Sequence, residues 1–247
     1  MLALPPKVQR EMVARCCTYS NLKILFLEKP IAVNPLDAIA LVNEIRQSRI
    51  RFRVGYTFLY TDWFDRIEIP TTKASDQELV ITWRFMAHHF VNEITNWKAK
   101  HSEGGGALRF FAIHLLAVLA SRGYSNANRS VLSGTIFDCP ERWEAAFSGA
   151  GLPNARVYVD TRSDTARFGV EVESGKESRS LVDLPDPFPI VQSAGGEDRR
   201  VSVLKRLLGS IAASDESHRS LCDHVNMLWL KAEEITEFAY TRGPTAH

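Results

Sequence analysis

The sequence predicts an α/β unit followed by an α+β domain: the tail of a parallel-sheet domain, then an open, mostly antiparallel sheet with helices on one face. Three observations carry that reading. Leu22-Lys23-Ile24-Leu25-Phe26-Leu27 is an almost unbroken apolar run ending at Glu28-Lys29-Pro30, as expected of a strand buried on both faces. Helical and strand patterns alternate with short connections as far as residue 56. Beyond about residue 60 the pattern changes to alternating strands around one helix that is apolar nearly all round.

Residues 6–19 read as a helix that opens on a proline, with Val8, Met12, Val13 and Cys16 on one face. After the strand at 22–27, Pro35 opens a second helix whose buried stripe is Ile39, Leu41, Val42 and Ile45. Residues 51–56 form a short strand. Leu79, Ile81, Trp83 and Phe85 then alternate with Val80, Thr82, Arg84 and Met86, a strand with one face more buried than the other. Residues 90–103 read as loop and lead into Gly104-Gly105-Gly106; residues 107–121 read as a helix at the centre of a domain. Strands follow at 130–137, 156–160 and 166–173. The turn at 161–165 predicts a hairpin, and 177–182 a further antiparallel strand. Residues 183–198 hold three prolines and two glycines and read as a surface crossing. Two amphipathic helices close the chain: Val201, Leu204, Leu208 and Ile211 mark the first, and Leu221, Val225, Leu228, Ala232, Ile235 and Ala239 the second. The expected division falls at residues 1–56 and 57–247.

Composition removes several function classes. A chain of 247 residues with 45% hydrophobic and 24% charged residues has the profile of a soluble globular protein, and a net charge of +1 gives no electrostatic reason to expect nucleic acid or a membrane surface as partner. The first residues lack the apolar run of a signal peptide, and the apolar stretch 110–120 is interrupted by His114 and too short to span a bilayer. A cytoplasmic location is expected. The four cysteines show no disulfide or metal spacing, and Cys16 and Cys17 read as helix packing rather than a redox pair.

Polar groups at the carboxyl end of a parallel strand lie where open α/β sheets bind ligands, which singles out Glu28, Lys29 and Pro30. A solvated salt pair before a turn proline would look the same. His114 is chemically suited to proton transfer near neutral pH, but on an apolar helix it reads equally as a hydrogen-bonded core histidine. Gly104–Gly106 either let a loop pack against the helix start or offer free N–H groups to a ligand. His88 and His89, read on a strand, point to opposite faces and cannot chelate one ion, so no metal is expected.

The motifs together resemble the Gfo/Idh/MocA family, the glucose–fructose oxidoreductase and inositol dehydrogenase relatives, over nearly the whole chain. Pro5-Pro6-Lys7-Val8-Gln9 resembles the loop after the fourth Rossmann strand, where the family usually has histidine at the position of Gln9. Glu28-Lys29-Pro30 matches the signature ending the next strand, Arg53-Val54-Gly55-Tyr56 the strand after it, and Trp97, Gly104-Gly105-Gly106 and His114 the substrate-side motif. The resemblance implies the C-terminal remnant of a Rossmann domain followed by the family's substrate and oligomerisation domain. It implies NAD or NADP as cofactor, with Pro5, Glu28, Lys29 and Pro30 on the cofactor side. Hydride transfer on a sugar, sugar-nucleotide or cyclitol hydroxyl is the implied reaction, with Lys29 and His114 catalytic and Trp97, Lys29 and His114 at the substrate. A homo-oligomer through the C-terminal sheet is also implied. An ammonium at Lys29 would lower the cost of the alkoxide that develops as hydride leaves.

Three departures qualify the match. No Gly-x-Gly-x-x-Gly turn occurs, so the first strand, its glycines and the ribose-binding acid would lie upstream of Met1. The aspartate common four residues before the histidine is Phe110, and the arginine common after the Val-Gly-Tyr strand is Leu59. A strand as apolar as 22–27 also needs neighbours that these residues supply sparingly. The missing half is expected from another polypeptide, from an oligomer, or as the lost part of a truncated gene, the last being preferred. The competing reading is a non-catalytic relative that kept the sheet domain as a binding or oligomerisation module.

Overall fold

The structure, a computed structural model, describes residues 2–70, 77–188 and 200–241. The first unit runs Pro6–Cys17 (α1), Ile24–Leu27 (β1), Pro35–Gln47 (α2) and Arg51–Val54 (β2). β1 and β2 pair in parallel with Leu27 opposite Val54. The other edge of β1 is covered by Leu2, which bridges Leu27 and donates its N–H to the Phe26 carbonyl at 2.8 Å. α2 begins where the sequence dictates: Pro35 occupies the first turn, and the Asn34 side chain accepts the Asp37 N–H at 2.9 Å. Its buried face is Ala38, Leu41, Val42 and Ile45, so Ala38 takes the place predicted for Ile39.

Beyond Asp62–Arg66 (α3), seven strands form one sheet: Gln77–Met86 (β3), Asn126–Gly134 (β4), Arg142–Ser148 (β5), Asn154–Asp160 (β6), Arg162–Ser174 (β7), Glu177–Leu184 (β8) and Thr236–Tyr240 (β9), in the order β8-β7-β3-β6-β5-β4-β9. The β3–β6 and β4–β9 pairs are parallel and the other four antiparallel. Register aligns one inward row across the sheet: Val182, Val170, Ile81, Val157, Ala145, Ser130 and Thr236. The row is apolar until its last two members, whose hydroxyls lie 2.7 Å apart, with the Trp143 indole N–H donating to Ser130 at 2.9 Å. At that end of the row the two hydroxyls and the indole N–H are thus paired with one another, as burial requires. Ile113–Ser121 (α5) is buried along almost its whole length and packs against Asp215–Glu234 (α7), which follows Val201–Gly209 (α6) and also rests on β4.

Four predictions need correction. The turn after β6 does not close a hairpin: β3 lies between β6 and β7, and the chain steps over its end, with Ala87 N–H donating to Thr161 O at 2.8 Å. β5 had no counterpart in the sequence reading. The final helix stops at Glu234, so Ala239 lies on β9. His88 and His89 open a short helix, His88–Val91 (α4), and do not continue the strand. The surface crossing predicted for 183–198 lies outside the described residues from 189 onward.

α7 also ties the two units together. Asp215 in its first turn, a favourable place for a carboxylate, binds Arg53 at 2.8 Å and Arg51 at 2.6 Å. The Arg53 side chain is only 1% exposed and also donates to the carbonyls of Phe52, Ser210 and Ala213. His218, one turn further along, accepts the Val54 N–H at 3.2 Å, so an edge donor of β2 is satisfied by a neutral imidazole. Burial, with the Arg53 charge nearby, pushes His218 down to about 4. Asp215→Ala strands the buried Arg53 charge and is expected to cost about 3 kcal/mol, read as a lower urea midpoint at unchanged slope. Burial opposes ionisation of Asp215, but hydrogen bonds from Arg53 and Arg51 outweigh it and hold the carboxyl below the usual range. Its contribution is therefore full above about pH 4, the unfolded carboxylate value, and lost as pH falls toward the folded one; Asp215→Asn should flatten that acid limb of a stability–pH curve.

Candidate functional site

The Glu28-Lys29-Pro30 loop leaves β1 and is held by one side chain. Gln9 on α1 is fully buried; its amide oxygen accepts Glu28 N–H at 3.1 Å and its amide nitrogen donates to Glu28 O at 2.9 Å and Ile31 O at 3.2 Å. It pairs with the loop backbone as a strand neighbour would. The Lys29–Pro30 peptide is cis. Lys29 then reaches across to the second motif: its Nζ donates to Phe110 O at 2.6 Å and sits 3.7 Å from the centroid of the Phe110 ring.

Phe110 is presented by an irregular helix start. Ala107–Ala112 winds as a π-helix before α5, a widening often found at functional sites. His114 follows one turn later, 5% exposed, stacked on Phe58 at 4.6 Å and 14°, with Nδ1 lacking a partner among the described residues. Trp97 meets Phe110 edge-on at 5.2 Å. A cavity of about 600 Å³ opens between these groups, and Pro5, Glu28, Lys29, Trp97 and His114 all line it. Pro30 does not: it is buried behind the loop, where its carbonyl faces Gln9 at 3.5 Å. Leu59 packs against the core and Thr57 reaches the cavity instead.

The three glycines serve packing. Their N–H groups donate to His101 O, Lys100 O and Lys98 O, so none is offered to a ligand. A Cβ on Gly105 would lie 2.1 Å from Trp97 O, and Gly104 at φ +89° would bring one within 3.0 Å of Pro6. They let the 97–106 segment fold under α5 and against the first unit. His89 is buried against Phe90 while His88 is exposed, and among the described residues no group of three His, Cys, Asp or Glu side chains comes together to hold a metal.

Electrostatically the site favours neutral bases. Burial lowers Lys29 to about 7, against the opposing pull of Glu28 and with help from Lys98. Burial, then the nearby Lys29 charge, keeps His114 well below its usual value. Sequence reasoning missed Gln9 as the loop's clamp, Lys98 as the second ammonium at Phe110, and Phe58 as the floor under His114; only Gln9 had a signal, its position in the family loop.

Gln9→Ala takes the amide donor away from the Glu28 and Ile31 carbonyls and is expected to cost about 1–3 kcal/mol in denaturant unfolding. Gly105→Ala should not fold at all, since backbone meets the new methyl group. Because Lys29 binds its proton less tightly when folded, the unfolded state holds more protons between about pH 7 and 10.4; stability should rise with pH across that window, and Lys29→Met should remove that rise.

No protein-family model matches the chain, and no curated protein shows significant sequence similarity to it. Solved structures do resemble it. GenD2 from gentamicin A biosynthesis, in complex with NAD, superposes with a TM-score of 0.66 at 12% identity, covering 94% of this chain and 75% of its own. KijD10, a 3-ketoreductase from Actinomadura kijaniata in complex with NADP and TDP-benzene, gives 0.64 at 13%, covering 98% and 79%. The WlbA dehydrogenase from Bordetella pertussis, in complex with NADH and UDP-GlcNAcA, gives 0.65 at 11%, covering 94% and 76%. Identities this low speak for architecture: the chain has the fold of the Gfo/Idh/MocA-type dehydrogenases.

Proposed function

We propose that this chain is the substrate-binding part of an NAD(P)-dependent oxidoreductase acting on a hydroxyl of a sugar, sugar nucleotide or cyclitol. The observation that carries the reading is the meeting of Lys29 and His114, which come from motifs far apart in sequence, with Trp97 at one cavity. Neighbours in complex with NAD, with NADP and TDP-benzene, and with NADH and UDP-GlcNAcA support it.

The nicotinamide end of such a cofactor fits the residues present: Pro5, Glu28 and Lys29 would border it, beside the unpartnered Nδ1 of His114. Among the described residues no glycine cradle is offered to the phosphate end, since the N–H groups of Gly104–Gly106 are committed to protein carbonyls. When bound, nicotinamide supplies the acceptor or donor of hydride. The chain's own groups handle the proton. With one N–H on Phe110 O and a value near neutrality, the Lys29 amine can hold the proton that a substrate hydroxyl releases, or return it in the reverse direction. Neutral His114 can accept from or donate to a second hydroxyl, and Trp97 offers an apolar wall for a sugar ring. We also propose that the chain self-associates through the C-terminal sheet domain, as the family resemblance implies.

One observation favours the non-catalytic module: Phe110 replaces a carboxylate, and Lys29 already has a partner in its carbonyl. Calorimetric titration with NADH and NADPH separates the two. Saturable binding, together with turnover that falls roughly a hundredfold or more in Lys29→Ala, is expected of the oxidoreductase. Sugar binding by a folded chain that takes up neither nucleotide would identify the module.

A further inference from the structure

The charge around this cavity narrows its ligand further. Lys29 and Lys98 line it, against Glu28 as the one carboxylate among the described lining residues. Lys98 is the distinctive member. Its ammonium lies 5.4 Å from the centroid of the same Phe110 ring that Lys29 covers at 3.7 Å, and it has no side-chain acceptor among the described residues. Its backbone is fixed: Lys98 N–H donates to Asn96 Oδ1 at 2.9 Å, and Lys98 O accepts Gly106 N–H at 2.8 Å. The close approach of Gly105 to Trp97 and Lys98 keeps that segment from shifting. The stem of an exposed ammonium without a side-chain acceptor among the described residues is thus anchored on the rim, with Trp97 beside it and Lys29 and His114 further in. An anion beside the Lys98 ammonium gains a charge-assisted hydrogen bond, and it favours the protonated form of the neighbouring Lys29.

We infer that the hydroxyl-bearing ligand of this cavity is an acid, a sugar-like molecule whose carboxylate or phosphate is bound by Lys98 while its hydroxyls face Lys29 and His114. The inference rests on the proposed function for the sugar-like part, and on the cavity's charge for the acidic part. Its test uses the whole chain without nucleotide, so that a failure to bind NAD(P) leaves the result standing. Calorimetric titrations with glucuronate, glucose 6-phosphate and glucose are compared in the native chain, Lys98→Met and Lys98→Arg. One of the two acids is expected to bind about tenfold tighter than glucose, as one charge-assisted contact allows. Which acid prevails distinguishes carboxylate from phosphate. Lys98→Met should erase the preference and Lys98→Arg retain it. Equal binding of glucose and both acids, or a preference untouched by Lys98→Met, would overturn the inference. If Lys98 instead met cofactor phosphates, Lys98→Met would weaken NADH and leave the acid-to-neutral ratio unchanged, which also overturns it.

Discussion

The ammonium of Lys29 joins the two units at the cavity. It leaves the end of β1, crosses to the π-wound start of α5, and there finds a carbonyl oxygen and an aromatic face supplied by the same residue, Phe110. Taking a lysine out of water is costly, and one carbonyl with one ring face offsets that cost only in part. The remainder shows as the drop of Lys29 toward 7. Its position therefore depends on everything that holds the two ends in place, and its chemistry follows from how incompletely it is compensated.

That support is built from unlike materials. On the side of β1, Gln9 replaces a strand partner with one amide group, fixing the backbone on either side of the loop. On the side of α5, three glycines remove side chains where the 97–106 segment passes under the helix start, so that Phe110 and Trp97 can meet. Away from the cavity, the Arg51–Arg53–Asp215 cluster and His218 clamp β2 onto α7, and α7 in turn carries α5. A disturbance at Asp215 would reach the site through that chain of contacts without touching it. At the cavity His114 leaves a polar atom over: buried on Phe58 with Nδ1 unpartnered among the described residues, it bears a desolvation cost that a ligand or a water could relieve.

Much of this was legible in the residues. The Glu28-Lys29-Pro30 loop and the Gly104–His114 stretch each stood out, their resemblance pointed to one site, and Lys29, His114, Trp97, Pro5 and Glu28 line one cavity. What escaped had physical reasons. β5 alternates Trp143, Ala145 and Phe147 inward, but its two alanines fit a helix as readily as a strand, and the period was easy to miss. β9 continues the helical spacing of Ile235 and Ala239 without a glycine or proline at the break; its pairing with β4 overrides that local pattern. The insertion of β3 between β6 and β7 is a long-range choice that no turn sequence encodes. Gln9 could not be seen as a clamp, because its partners are backbone atoms that only the folded loop brings within reach.

The most direct test of this account is a pH titration of the lysine Nζ resonances of the intact chain by nitrogen-15 NMR, with Lys29→Met to assign the signal. A single lysine deprotonating near neutrality, absent from the variant, is the result that the Lys29–Phe110 arrangement requires. If every lysine titrates near its ordinary value of about 10.4, Lys29 is solvated, the two motifs do not enclose it, and the site described here does not form.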